Sequence, residues 1–293
     1  MWRQVRSLRT VTGKPQLVSF VGAAPAVSAG GATRSLLRVA MSIRWLSVVS
    51  IALALAVWQV LNALRVVSPD LVPGPTAVAR TFVDILVHGY RGTTLLQDIL
   101  ATLYRVAAAF VLASILGIPL GLAMGYNRWI RAAFDYVVQL TRPLPPLSYY
   151  ILLIVWLGTG NSSKIALLYL TAFPILVIDT MAGVRATPIQ KIQAAQALGA
   201  NEWQIFRYVI LPSALPMIFS GMSIAMAVTF STVVAAELLA ASDGLGWMVF
   251  SASKFLRNDV IIMTIIVLGL LGVCLTRVIR ALDKHVIHWR GVE

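Results

Sequence analysis

The sequence is short of charge. Only 12% of its 293 residues are Asp, Glu, Lys or Arg, against about 25% in soluble domains. That deficit excludes a globular domain with a fully solvated surface. Acid is scarcer than base: 11 acidic residues face 24 basic ones, for a formal net charge of +13. A single cysteine, Cys274, excludes an intrachain disulfide framework. It falls inside the last apolar run and reads as a small buried apolar residue. The three histidines are His88, His285 and His288. They lie in loops or the C-terminal tail without companion ligands, so no metal centre is expected. The polar loop GTGNSSK, residues 158–164, lacks the Gly-x-x-x-x-Gly-Lys-Ser/Thr spacing of a phosphate loop. It reads as a turn on the outer side. No catalytic residue is identified, and the chain is not expected to hydrolyse ATP.

What the sequence has in excess is apolar length. Hydrophobic residues make up 59% of the chain, and its mean hydropathy is +0.84. They come in runs of about 20, the length at which a helix crosses the hydrocarbon core. Such runs are too long for barrel strands, and only helices and closed barrels satisfy the backbone in lipid. The fold class is therefore an all-α polytopic membrane protein with about six transmembrane helices. The spans are predicted over 43–64, 100–124, 165–184, 211–241 and 260–278, with an irregular third segment over 135–157. Lys and Arg gather in loops and tails on one predicted side, the positive-inside pattern of a bacterial inner-membrane protein. This places both termini in the cytoplasm, makes membrane lipid the surroundings and excludes a nucleic-acid partner. Residues 1–40 read as a basic, flexible cytoplasmic tail. Residues 41–293 read as one transmembrane domain.

Local signals refine the spans. Pro73, Gly74 and Pro75 break the chain after the first span. Val78, Phe82, Ile85 and Leu86 then share one helical face, predicting a short amphipathic helix at the outer interface. Gly117, Gly121 and Gly125 recur every four residues, a small-xxx-small pattern for close helix packing, with Pro119 predicting a kink. In RPLPP, Pro143, Pro145 and Pro146 cannot all sit in one regular helix. Broken backbone at membrane depth requires protein or a water-filled cavity around it. The ionisable residues within the spans are Arg105, Asp135, Arg142, Asp179 and Glu237. Such groups face a bundle interior or a cavity. Arg105 reads as paired or snorkelling, and Asp135 with Arg142 as either a stabilising pair or a gate.

Between the fourth and fifth spans, residues 193–212 read QAAQALGANEWQIFRYVILP. Ala194, Ala195, Ala197 and Leu198 favour a helix. Gly199 offers the positive φ that ends one. Asn201 is a good N-cap, with Glu202 in the first turn of a second short helix. Trp203, Ile205 and Phe206 are apolar anchors of the kind that dominate interfaces. On local physics alone, the stretch could equally be an amphipathic helix on the bilayer surface.

The spacing is more specific. Gln193-Ala194-Ala195, Gly199, Val209 and Leu211-Pro212 resemble the EAA loop of importer permeases in the ATP-binding-cassette (ABC) superfamily. Gln193 stands for the usual Glu and Val209 for the usual Ile. Other stretches are LVPGPTAV, GIPLGLAMGY, RPLPPLSYYILLIVWLGTGNSSKIALL and VVAAELLAASDGLGWMVFSASKFLRNDV. They resemble the nitrate/sulfonate/taurine/bicarbonate permeases, the last being most like taurine permeases.

The resemblance implies a type I importer permease fold with a cytoplasmic coupling helix, the coupling loop covering about 188–212. It implies a homodimeric pore, cytoplasmic ABC ATPase subunits that carry ATP and Mg, and a periplasmic or lipid-anchored solute-binding protein. By the same resemblance Gln193, Ala194, Ala195, Gly199, Trp203, Leu211 and Pro212 form the ATPase-coupling set. Candidate pathway residues are Arg142, Ser148, Tyr149, Tyr150, Thr229, Ser231, Thr232 and Glu237. The hydroxyls and aromatic edges suit a passing anion, whereas Glu237 suits a structural or gating role. Ser148, Tyr149 and Tyr150 depart from the Ala-Trp of many relatives. The implied cargo is a small anion, taurine or another alkanesulfonate first. Nitrate, bicarbonate or a vitamin or aromatic precursor stands as the alternative within the class. An intramembrane enzyme or stand-alone secondary transporter is the alternative outside it, though neither needs a cytoplasmic docking helix.

Overall fold

Residues 29–66 and 68–287 are described by a computed structural model. The first 28 residues of the expected tail, His288 and Arg290 lie outside them. Among the described residues every regular element is helical: α1 (Ala29–Ala63), α2 (Pro75–His88), α3 (Leu95–Tyr126), α4 (Arg128–Thr141), α5 (Pro146–Leu157), α6 (Asn161–Arg185), α7 (Ile189–Ala197), α8 (Glu202–Ile205), a π-helical turn (Phe206–Ile210), α9 (Leu211–Ala240), α10 (Leu245–Lys254) and α11 (Asn258–Val286). The chain divides into two units at Ala56, which falls inside α1. All contacts below belong to the second unit. Because α1 begins at Ala29, the expected boundary between tail and span at residue 40 falls within a helix.

Among the described residues four helical runs are long and apolar enough to cross a membrane: α3, α6, the continuous run Glu202–Ala240 and α11. The third expected span is the pair α4 and α5, bent by 99° at the proline break. In α1 the described apolar part is Val48–Ala63. Two boundaries differ from expectation. Residues 161–164 of the expected turn already belong to α6, where Lys164 is buried and its Nζ donates to the carbonyls of Thr159 and Gly160 at 2.7 and 3.1 Å. The fifth span, expected from residue 211, has Pro212 in the first turn of α9, but α8 and the π turn lead into it without a break, so the helical run starts at Glu202.

The central seam joins α3 to α6. Lipid tails are as apolar as Leu, so helices associate in a bilayer by close van der Waals approach. The glycine repeat provides it. A Cβ at Gly121 would lie 2.6 Å from the Val177 carbonyl oxygen, and one at Gly125 would overlap the Val184 side chain. On the other side of α6, Gly221 of α9 receives Asp179 and Gly183 receives Ala214 and Met217. The largest core cluster, including Phe110, Leu168, Leu176, Val233 and Met263, is built on α3, α6, α9 and α11. Pro119 lies inside α3, which is assigned as one helix. Thr94 starts that helix with a reciprocal capping box to Gln97.

Two packing expectations need correction. In α2 the buried residues are Val78, Thr81 and Ile85, while Phe82 and Leu86 are exposed. The buried stripe is thus one step round from the expected apolar face, and Thr81 within it donates to Asp259 Oδ2 at 2.9 Å. Cys274 is exposed on α11, not buried. Before α11, Arg257 forks onto Asp259 at 2.9 and 2.8 Å, and that contact holds its guanidinium above the ordinary value.

Candidate functional sites

Among the described residues, the expected site residues fall at a buried ionic network, at a cavity and groove by the bend between α4 and α5, and at an exposed helix pair, α7 and α8.

The network is centred on Arg105 of α3, which is 2% exposed. Its Nη1 donates to Glu237 Oε1 at 2.6 Å and to the Asp243 carbonyl at 3.0 Å. Its Nη2 donates to Asp243 Oδ1 at 2.5 Å, and its Nε to Asn161 Oδ1 at 2.8 Å. Glu237 is fully buried, and also accepts from Thr102 Oγ1 at 2.9 Å and the Gly246 amide at 2.8 Å. Thr102 in turn accepts from the Leu245 amide at 3.0 Å, and Asp98 accepts from the Gly244 amide at 2.8 Å. The first amides of α10 therefore find side-chain acceptors on α3 and α9, where a helix start needs them. Gly244 makes this possible. Its φ is +104°, and a Cβ there would fall 2.6 Å from the Glu237 carboxylate. Arg105 is thus paired rather than snorkelling. Sequence reasoning missed Thr102, Asp98, Asn161 and the Gly244–Gly246 amides. Their signal was weak: each is a common residue whose partner lies far along the chain.

The cavity encloses about 370 Å³ among α4, α5, α6 and α9. Thr141, Arg142, Tyr149, Thr171 and Asp179 provide its polar lining, and Leu170, Ile224 and Val228 part of its apolar wall. Asp135 does not pair with Arg142. It accepts from Gln139 Nε2 one helical turn on, at 2.7 Å. Arg142 instead shares the cavity with Asp179. A neighbouring groove is lined by Pro146, Ala227, Val228, Ser231 and Thr232. Ser148 is exposed and donates to the Pro145 carbonyl at 2.6 Å. The other three expected pathway residues are turned into the protein. Tyr150 is fully buried, its hydroxyl donating to the Ala236 carbonyl at 3.0 Å, and Thr229 and Glu237 are also fully buried. They line neither the cavity nor the groove, because their side chains face neighbouring helices.

At the helix pair, α7 has no fully buried residue, though Ile192 and Ala195 rest partly on the cluster of Val184, Ile205, Ile210, Ala214 and Ile218. Gly199 has φ +82°. Its amide donates to the Gln196 carbonyl at 2.9 Å, and the Ala200 amide to the Ala195 carbonyl at 3.0 Å. This is the Schellman end of a helix, which requires a left-handed residue. Asn201 then caps α8 through a capping box with Gln204, at 2.9 and 2.8 Å. Ala194, Ala195 and Pro212 line one groove with Leu198, Tyr208 and Val209. Gln193 and Gly199 are exposed, and Leu211 is half-buried. Leu198 is 89% exposed and Trp203 66%, the latter stacked on Phe206 at 5.9 Å. Ile205, expected as an outward anchor, is buried beneath the pair.

Comparison with known proteins covers most of the chain. The model of the family described as binding-protein-dependent transport system inner membrane component matches residues 113–288. The taurine transport system permease protein TauC of Escherichia coli K12 is 40% identical over 247 residues, which is 84% of this chain and 90% of that protein. The nitrate import permease protein NrtB of Synechococcus elongatus is 31% identical over 248 residues, 82% of this chain and 88% of that protein. Among solved structures, a chain of the MetNI methionine ABC transporter in an inward-facing conformation aligns with a TM-score of 0.55 at 21% identity. That alignment covers 66% of this chain and 94% of that one.

Proposed function

Because the chain belongs to the family of binding-protein-dependent transport system inner membrane components, we propose that it forms the translocation pathway of an ATP-driven importer for taurine or another small alkanesulfonate. The chain is the multi-pass inner-membrane permease subunit of an ABC transporter, a transport component and not an enzyme. An ATPase and a solute-binding protein are its partners by family. In our reading two copies form the pore and both termini face the cytoplasm. ATP and Mg reside on the ATPase, and α7 with α8 is the coupling element that docks on it.

One observation carries the coupling reading. Residues 189–205 form two capped short helices that leave Leu198 and Trp203 exposed, beside a groove lined by Ala194, Ala195 and Pro212. Small residues beside exposed anchors suit a protein partner. The likeness to TauC over 84% of the chain supports the cargo, and the likeness to NrtB supports nitrate as the second reading.

The test is uptake by the complex reconstituted in proteoliposomes with its ATPase and binding protein. Labelled taurine should accumulate with ATP inside and loaded binding protein outside. Accumulation of nitrate alone would replace the cargo. Gly199→Val tests the coupling element. Nothing lies within 4 Å of the added Cβ, so the substitution acts through backbone strain of about 1–3 kcal/mol. Uptake and ATPase retention should fall at unchanged membrane abundance. Retention of both at wild-type level would refute the coupling role.

A further inference from the structure

The cavity at the bend presents charges of both signs. Arg142 closes α4, Asp179 faces in from α6, and both line the same 370 Å³ space. They form no ion pair within 4.0 Å, and neither side chain hydrogen-bonds to another described residue. Arg142 is exposed and Asp179 half-buried, so both stay accessible to a molecule in the space. Asp179 is lodged against α9, its carboxylate lying over Gly221, where a Cβ would fall 2.6 Å from Asp179 Cβ. The small residue there makes room for an acid at this point of the wall. The lining also includes Pro146, the first residue of α5. A helix start carries partial positive charge, and starts of broken helices at membrane depth face anionic groups. The lining thus carries positive charge from Arg142 and the start of α5, and negative charge from Asp179. Tyr149 and Thr171 supply hydroxyls, and Ile224 and Val228 an apolar wall.

A simple anion such as nitrate would satisfy Arg142 and leave Asp179 facing it with the same sign. A plain alkanesulfonate would do likewise. A small zwitterion answers both charges. We propose that the cavity between the α4–α5 bend, α6 and α9 is a transit site for a small zwitterion. Its anionic end lies on Arg142 and its ammonium on Asp179, so the permease itself prefers an aminoalkanesulfonate to the ammonium-free analogue. This rests on the importer reading above and narrows its cargo to one charge type.

The experiment separates the permease from the binding protein. The permease–ATPase complex is placed in nanodiscs without binding protein, and labelled taurine binding is competed with ethanesulfonate, which keeps the sulfonate and lacks the amine. Wild type should prefer taurine by about ten-fold or more, the worth of one charge-assisted contact. Asp179→Asn should bring the preference to within about two-fold while ethanesulfonate still binds. Asp179→Glu should restore part of it, and Arg142→Gln should weaken both ligands. The proposal is overturned if wild type shows no preference, if Asp179→Asn keeps it, if Arg142→Gln binds both as well as wild type, or if no taurine binds. Taurine uptake by the complete transporter is measured in parallel. Uptake with an unchanged preference in Asp179→Asn sinks the zwitterion site alone. Absence of taurine uptake in the wild type sinks the cargo reading itself.

Discussion

Removing Glu237 should destabilise the bundle far more than removing Asp243, although both pair with Arg105. Glu237 is fully buried and accepts from Arg105, Thr102 and Gly246. Glu237→Ala leaves a guanidinium 2% exposed without its interior partner. Breaking one half of a buried pair costs about 3–5 kcal/mol. Asp243 has a side chain 43% exposed, and a pair with a hydrated partner is worth about 0–1 kcal/mol. The Arg105→Met/Glu237→Met double variant removes both charges, and apolar replacement of a buried pair is close to neutral. What persists is the Gly246 amide and the Thr102 hydroxyl without the carboxylate that accepted from both, about 1–3 kcal/mol for the amide and less for the hydroxyl, which can rotate. The order of stability is therefore wild type, Asp243→Ala, the double variant and Glu237→Ala, with the second and third close together. Reversible unfolding of the purified full chain in mixed micelles titrated with SDS measures it. A Glu237→Ala loss below about 1 kcal/mol, or a double variant no better than that single one, would refute the reasoning.

Two further outcomes follow from packing and topology. Gly121→Leu should lower membrane abundance and thermal midpoint, because its Cβ would sit 2.6 Å from the Val177 carbonyl oxygen and 2.7 Å from Thr180 Cβ. Overpacking of this kind costs about 1–3 kcal/mol. Gly269→Leu, with nothing within 4 Å, is the control, and equal loss in both would contradict the α3–α6 seam. In a Cys274→Ala background, Pro73→Cys and Ser242→Cys should each react with an impermeant maleimide on intact cells. Protection of both would overturn the proposed orientation.

Much of this was readable along the chain, because it depends on short-range constraints. Apolar length dictates spanning helices, since a backbone in lipid must bond within its own segment. The prolines of residues 142–146 enforce the 99° bend. Gly199 and Asn201 end one helix and start the next through bonds that reach no further than five residues. The glycine repeat of α3 announced a tight seam, though not that α6 fills it.

Which way each helix turns was decided only in three dimensions. In a soluble helix the polar face points out, but in a bilayer both lipid and protein interior accept apolar side chains, so hydropathy does not mark the inward face. That is why Cys274 is exposed where burial was expected, and why Tyr150 and Thr229 are turned into the protein. The same holds for the charges. Arg105, Glu237 and Asp243 lie on separate parts of the chain, and only the packing of α3 against α9 and the loop after it brings them within hydrogen-bonding distance. Composition showed that the buried charges needed partners; the partner of each was settled by helix rotation, which the local sequence does not constrain.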